Sequence, residues 1–344
     1  MRRERIPIHN ISDMTMSMMH QKQSEACETR LLAYPVLTPF DPSATDADTQ
    51  RFLEYSYTEY SSDGLMTLKQ LKKQITKRLQ LEAKFLSPGE VNLLEALLDQ
   101  DGEILIEDWD DLSAVESLIK RLYCTVKKEG DELVLRLPYE LQSPIARIFQ
   151  QKKTKNIRNT LLQLDATIQT VLYINGFILA EEVCDCITKE IMHRSDLLAL
   201  QIAKRYLMSA YEYETDMNGN MLLLHPGLSS AAALIIDRLD QGLPPGGFLS
   251  EAGVMGIGGV FPQEIPLLEG LCGTLIGALR PEYEPMEAVQ DLHMLIKQGA
   301  GLEECRHVLS TMLAVMPTQN MFDRLDLLYH GTPRWAGMET PILH

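Results

Sequence analysis

The stretch from Val171 to Gly227 constrains the fold more than any other part of the chain. VLYINGF leads into the helical run LAEEVCDCITKEI and then a second helix around LLALQIAKRYLMSAY, and YEYETD, MNGN and MLLLHPG follow. Asn218-Gly219 between two strand-like runs is a strong hairpin signal, because both residue types accept the positive φ that tight turns demand. Helices closing on such a hairpin outline a winged-helix-like module. Modules of this outline bind DNA, bind proteins or space other domains, so the outline predicts architecture and leaves activity open.

With 344 residues the chain has room for two or three domains, each with its own core. Residues 1–48 read as an N-terminal arm, ordered or flexible, that ends in the polar DPSATDADT. Residues 49–150 read as an α+β domain. Its first helix lies near Arg51–Tyr60, and Leu68, Leu71, Ile75 and Leu79 recur at three- and four-residue steps on the second. Ser87 caps a third helix, with Pro88 at its first position and Glu90 three residues on. ILI and LVLRLP are short strands, KKEGDE is a turn, and QQKKTKN is a polar junction. The winged-helix-like module spans 151–228 and a helical C-terminal domain spans 229–344, opening on a helix capped by Ser229 or Ser230. The expected fold class is mainly α with short β-hairpins (α+β).

Hydrophobic residues make up 45% of the chain and charged residues 23%, the balance of a globular protein rather than a disordered one. The formal net charge of −16 is uneven: residues 1–200 carry 24 basic and 31 acidic side chains, residues 201–344 carry 8 and 17. A phosphate-binding surface needs local positive potential, so nucleic acid is expected, if anywhere, on the N-terminal half. The six cysteines have no disulfide-framework spacing and read as reduced thiols. The N-terminal MRRERIPIHNISDMTMSMM has its apolar residues interrupted by His, Asn, Ser and Asp, unlike a secretory signal, and no run approaches the ~20 apolar residues of a membrane span. A cytoplasmic protein is the expectation.

Candidate chemistry is sparse. Cys184 and Cys186 point about 200° apart on a helix and so do not share a metal ion readily, and no second ligand pair stands at a zinc spacing. His225 sits before Pro226; His293 and His307 lie near Asp291 and near Glu303 and Glu304, with no nucleophile elbow and no HExxH beside them. Gly253, Gly256, Gly258 and Gly259 look superficially like a phosphate cradle, but PPGGFLSEA before them and VFPQEIP after them leave no strand-to-helix frame. No catalytic, cofactor-binding or metal-binding residues are assigned, and no cofactor is expected. Two basic clusters remain: Lys69, Lys72, Lys73, Lys77 and Arg78 on one helix, and a run from Arg147 through Lys152, Lys153, Lys155 and Arg158. The last four are candidate nucleic-acid contacts, weighed against solvated surface, which the overall charge favours.

FLSEAGVMGIGGVFPQEIPLLEGLCGTL, the helices after it and the closing LYHGTPRWAGMETP resemble an uncharacterised bacterial family whose members often end in a zinc-binding SEC-C motif. LYINGF with NGNMLLLHPGL, and LVLRLPYEL, are similar to that family's helix start, wing strand and strand-to-helix step, so the resemblance covers residues 60–341. It implies a fold and no activity. The SEC-C cysteines are absent after METP, so the tail's zinc is not implied. Pro333 and Trp335 have structural readings of their own. Gly331 is expected to stop the last helix in a left-handed conformation, Pro333 to prevent its resumption, and Trp335 to fold back on the core.

The expected function is therefore that of a non-catalytic interaction or regulatory scaffold with an unidentified protein partner and no membrane. A winged-helix-type nucleic-acid-binding regulator is the alternative, and an enzyme with a site built from scattered side chains is the third.

Overall fold

The computed structural model describes residues 29–56, 66–106, 112–130, 132–228, 230–243, 246–249 and 264–336. In chain order it has α1 (Thr49–Tyr55), α2 (Leu68–Glu82), α3 (Pro88–Asp99), β1 (Glu103–Leu105) and α4 (Leu112–Lys120). Then come β2 (Thr125–Glu129), β3 (Glu132–Arg136), α5 (Tyr139–Gln150), α6 (Lys152–Asn175) and β4 (Phe177–Leu179). Next, α7 (Ala180–Asp185) runs into a π-helical turn, and α8 (Leu197–Ala210), β5 (Glu212–Thr215) and β6 (Met221–Leu224) follow. The chain ends in α9 (Ala231–Asp240), α10 (Ile265–Leu275), α11 (Pro285–Lys297), α12 (Leu302–Met312) and α13 (Gln319–Gly331). It is mainly α with short β-hairpins, as its patterning predicts.

The described chain forms two compact units, one from residues 29–162 with 184–211 and one from 163–183 with 212–336. The stretch 151–228 is shared between them: α8 belongs to the first unit, while β4, β5 and β6 belong to the second.

Local chemistry starts the helices of the first unit where the sequence suggests. Ser87 and Glu90 form a reciprocal capping box behind Pro88, Thr67 and Gln70 form another for α2, and the Asp196 carboxylate caps α8. Leu71, Ile75 and Leu79 are buried in one core with Leu118, Leu135 and Ile145, and Leu31 and Phe40 from residues 29–48 join it. The sheet has the order β1-β3-β2, with Val126 opposite Leu135. KKEGDE is not simply a turn. Residues 125–129 are an edge strand whose Lys127, Lys128 and Glu129 are all exposed, so it shows no apolar alternation.

Inside this unit Glu82 is buried among guanidinium groups. Arg205 Nη1 lies 2.7 Å from it, Arg78 Nε 3.1 Å and Arg121 Nη1 3.6 Å, and the Tyr123 hydroxyl donates to it at 2.9 Å. Burial alone would raise the Glu82 carboxyl, but Arg121, Arg205, Arg78 and the tyrosine outweigh it and hold the group below the usual carboxylate range. Arg121 Nε also bonds Glu90 at 2.8 Å, which ties α4 and its C-terminal turn to the capping box of α3.

In the second unit β4-β6-β5 is antiparallel, with Ile178 and Tyr213 on either side of Leu223. The hairpin turns where Asn218-Gly219 predicts, with Gly219 at φ +82. The Asp216 carboxylate closes it by accepting from the backbone of Asn218 and Asn220. Helices α10 to α13 bury Leu271, Leu292, Ile296, Leu309 and Leu325 together. Gly331 departs from expectation. It is the last residue of α13 rather than a left-handed stop, and a Cβ there would strike Leu267 of α10, so glycine permits the close approach of two helices.

Replacing Glu82 with Gln takes the anion from the buried Arg205 and from Arg78 and leaves Arg121 with Glu90 alone, so Glu82→Gln should destabilise the protein by about 3–5 kcal/mol in chemical denaturation. A midpoint equal to that of the parent would show that the network contributes nothing to stability. The parent should also lose stability on acidification, as pH falls through the depressed Glu82 pKa, because the unfolded chain takes up that proton first.

Candidate functional site

The four candidate nucleic-acid contacts do not lie in a linker, as the polar junction suggests. They occupy the first two turns of α6, a 24-residue helix. Lys152, Lys153 and Lys155 are exposed there, and no acid among the described residues is paired with them. Three lysines at a helix N-terminus oppose the macrodipole, and the two positive contributions add outward. Arg158 is engaged elsewhere: its guanidinium lies 3.9 Å above the Phe149 ring and 3.7 Å from Glu95. Lys69, Lys73 and Lys77 form an exposed stripe on α2, while Arg78 is drawn inward to Glu82.

The second unit holds a buried polar cluster. Tyr173, near the end of α6, donates its hydroxyl to Glu264, which precedes α10. His293 Nε2 on α11 lies 3.2 Å from Glu264 and 3.3 Å from the Tyr173 oxygen. One turn on, the Lys297 ammonium sits 3.9 Å over the Tyr173 ring and donates to the Pro333 carbonyl at 3.3 Å. Burial pushes the lysine down to about 8, against the pull of Glu264. Burial would raise Glu264 as well, but hydrogen bonds from His293 and Tyr173 and the Lys297 charge hold it low. The phenol of Tyr173 is pushed up by burial and by the Glu264 charge.

Trp335 closes this cluster and is 1% exposed. Its indole N–H donates to the Tyr173 carbonyl at 2.9 Å, its backbone N–H donates to the Lys297 carbonyl at 2.9 Å, and its ring meets His225 at 5.1 Å. Pro333 stands just past the end of α13, where helix resumption has to be prevented, and it also supplies the carbonyl that Lys297 binds. Sequence reasoning finds Trp335 and its inward fold but misses Glu264 as the partner of His293. The near-sequence carboxylate, Asp291, is not that partner, and His307 is exposed on α12. No local signal joins residues 29 positions apart in this way.

The cluster also sets the orientation of α9. Arg238 donates from Nε to the Trp335 carbonyl at 3.0 Å and from Nη2 to Asn175 at 3.1 Å. Ala231 and Leu234 are buried beside Phe177, Leu222 and Trp335, with Ile235 packed against them. With that face fixed inward, Ile236 is 57% and Leu239 56% exposed. Ser230 caps the helix start, and Gly242 and Leu243 close its end by donating to the carbonyls of Leu239 and Arg238. Elsewhere in this unit Ile276, Val315 and Met316 are exposed around the Leu279–Leu313 bridge.

Cys184 is buried and Cys186 partly so; among the described residues no group of His, Cys, Asp and Glu is arranged to hold a metal ion. The glycine run 253–259 and Ser229 lie outside the described residues.

Two outcomes test the cluster. Trp335→Ala should cost about 3–5 kcal/mol of unfolding free energy. Because the Lys297 pKa is lowered on folding, the unfolded chain binds the extra proton between pH 8 and the ordinary lysine value of 10.5. Stability should therefore rise with pH across that window, by up to about 3 kcal/mol, and the rise should be absent in Lys297→Met. Parallel pH profiles for the two proteins would show the lysine to be unperturbed.

No protein family, curated protein or solved structure matches this chain.

Proposed function

We propose that this protein is a non-catalytic interaction or regulatory scaffold that acts through protein contacts made by its second, acidic unit. The observation that carries this reading is the surface of that unit. Its described residues hold 18 acidic and 6 basic side chains, and they leave Ile236, Leu239, Ile276, Val315 and Met316 exposed. Apolar side chains grouped within a charged rim mark protein-contact sites. The basic groups are largely occupied internally: Lys297 is buried, Arg238 is held by Trp335 and Asn175, and Arg306 pairs with Glu303 and Asp326. The cytoplasm is the proposed compartment, because the described cysteines are all free thiols. Among the described residues no helix is long and apolar enough to cross a membrane. Kinship with the SEC-C-associated family is part of the proposal for the fold and adds no activity to it.

Carboxylate-directed cross-linking in cells that express the protein provides the test, since this unit offers no exposed lysine to amine-directed reagents. A stoichiometric partner linked through acids of residues 212–336 is the expected result. Recovery of the chain alone would overturn the reading.

A second reading, nucleic-acid binding, is favoured by one observation: three exposed lysines in the first turn of α6 that no acid among the described residues pairs with. Retardation of duplex DNA at ~50 mM salt that disappears in Lys152→Glu/Lys153→Glu/Lys155→Glu would support it, and no retardation would remove it. Arg158→Ala should leave any such binding almost unchanged, because that guanidinium already has its partners.

A further inference from the structure

We propose that the outer face of α9 is the docking seam for a basic amphipathic helix of a partner protein, an assignment that rests on the protein-contact reading and gives it a place and a chemistry. Of ten residues in α9, Ala231, Leu234 and Ile235 face the core, and Arg238 turns inward with them. Ala232, Ile236 and Leu239 are exposed. At 100° per residue these three fall within an arc of about 60° that adjoins the buried arc, so the apolar surface of the helix is about twice as wide as its core covers.

The spacing 232, 236, 239 is the four-three step that a second helix reads as a seam. Leu243 lies past the helix end, yet its backbone N–H donates to the Arg238 carbonyl at 2.9 Å and that of Gly242 to the Leu239 carbonyl at 3.0 Å. This double closure, with Gly242 at φ +71, ends the helix, so the seam runs from Ala232 to Leu239 and Leu243 stands beyond it, 37% exposed. From Ala232 to Leu239 the seam is about 10 Å long, the length of two helical turns.

Charge selects the occupant. Asp240 is exposed at the far edge of the seam, about 40° beyond Ile236, and the Glu214 carboxylate accepts from the Ala232 N–H at the start of the helix. The one basic residue of α9, Arg238, is bound to Trp335 and Asn175 and offers no cation outward. A second copy of this chain would therefore bring acid to acid, whereas a helix with Lys or Arg beside its apolar stripe meets Asp240 and Glu214 with opposite charge.

The probe is a fluorescein-labelled peptide of about 21 residues with Leu at the a and d positions and Lys at e and g. It is titrated against the full chain by anisotropy, beside a scrambled peptide of the same composition. The patterned peptide should bind more tightly than the scrambled one. Ile236→Ser/Leu239→Ser should weaken it by about tenfold or more. Asp240→Lys should weaken it as well and shift preference towards a Leu/Glu peptide. Ile276→Ser/Val315→Ser, on the other exposed patch, should leave binding as it was. Circular dichroism and unfolding midpoints of these surface variants should match the parent. Equal binding of the scrambled peptide, or binding indifferent to Ile236 and Leu239, would overturn the seam. A dimer in sedimentation that Ile236→Ser/Leu239→Ser dissociates would also overturn it, naming a second copy as the occupant. A partner captured from cells that still binds Ile236→Ser/Leu239→Ser would leave the protein-contact reading standing and remove α9 from it.

Discussion

The C-terminal end of α6 is buried, and a buried helix end must find partners for carbonyls that have none within the helix. Three parts of the second unit meet this requirement. Gly176 donates back to Leu172, the Trp335 indole donates to Tyr173, and the His225 backbone donates to the Gly176 carbonyl. Gly176 makes this turn at φ +80, which a side chain would disfavour, and a Cβ there would also meet the Trp335 ring and Leu234. The corner after β6 and the turn after α13 are therefore fixed to the same helix end. Arg238 adds α9 to it, and Lys297 adds α11. Much of the second unit is organised around a single capping problem.

The two units handle buried charge differently. In the first, Glu82 is surrounded by permanently ionised guanidinium groups, which carry their charge through any accessible pH, so the carboxylate is stabilised as an anion. In the second, the cation facing Glu264 is a lysine, which gives up its proton more readily than a guanidinium when burial disfavours charge. Tyr173 and His293 then carry more of the work of holding Glu264 by hydrogen bonds. The first network is insensitive to base and the second is not, which follows from the identity of one side chain.

What was legible in the sequence is what short-range chemistry decides. The Ser87 capping box, the buried face of α2, the Asn218-Gly219 hairpin and the four C-terminal helices are each encoded within a few residues. The pairing of Glu264 with His293, and of Arg238 with Trp335 across 97 positions, has no local signature and was not legible. The lysines of α6 read as a linker for a different reason. A helix normally opens on acids or a polar cap, and KKTK offers neither, so its start resembles a linker; the apolar residues from Leu161 onward hold the helix together against an unfavourable first turn.

The same distinction explains why α9 presents more apolar surface than folding requires. A helix on the outside of a unit is held by a stripe about 100° wide. Ala231, Leu234 and Ile235 already supply that stripe, and the Arg238 hydrogen bonds fix the rotation independently of the outer residues. Folding thus places no demand on Ile236 or Leu239, whose exposure favours unwanted association. The exposed Asp240 beside that stripe, and Glu214 at its start, oppose association between like molecules. An apolar stripe that the core does not need, bordered by charges that repel its own kind, has the composition of a contact surface kept open for a different molecule.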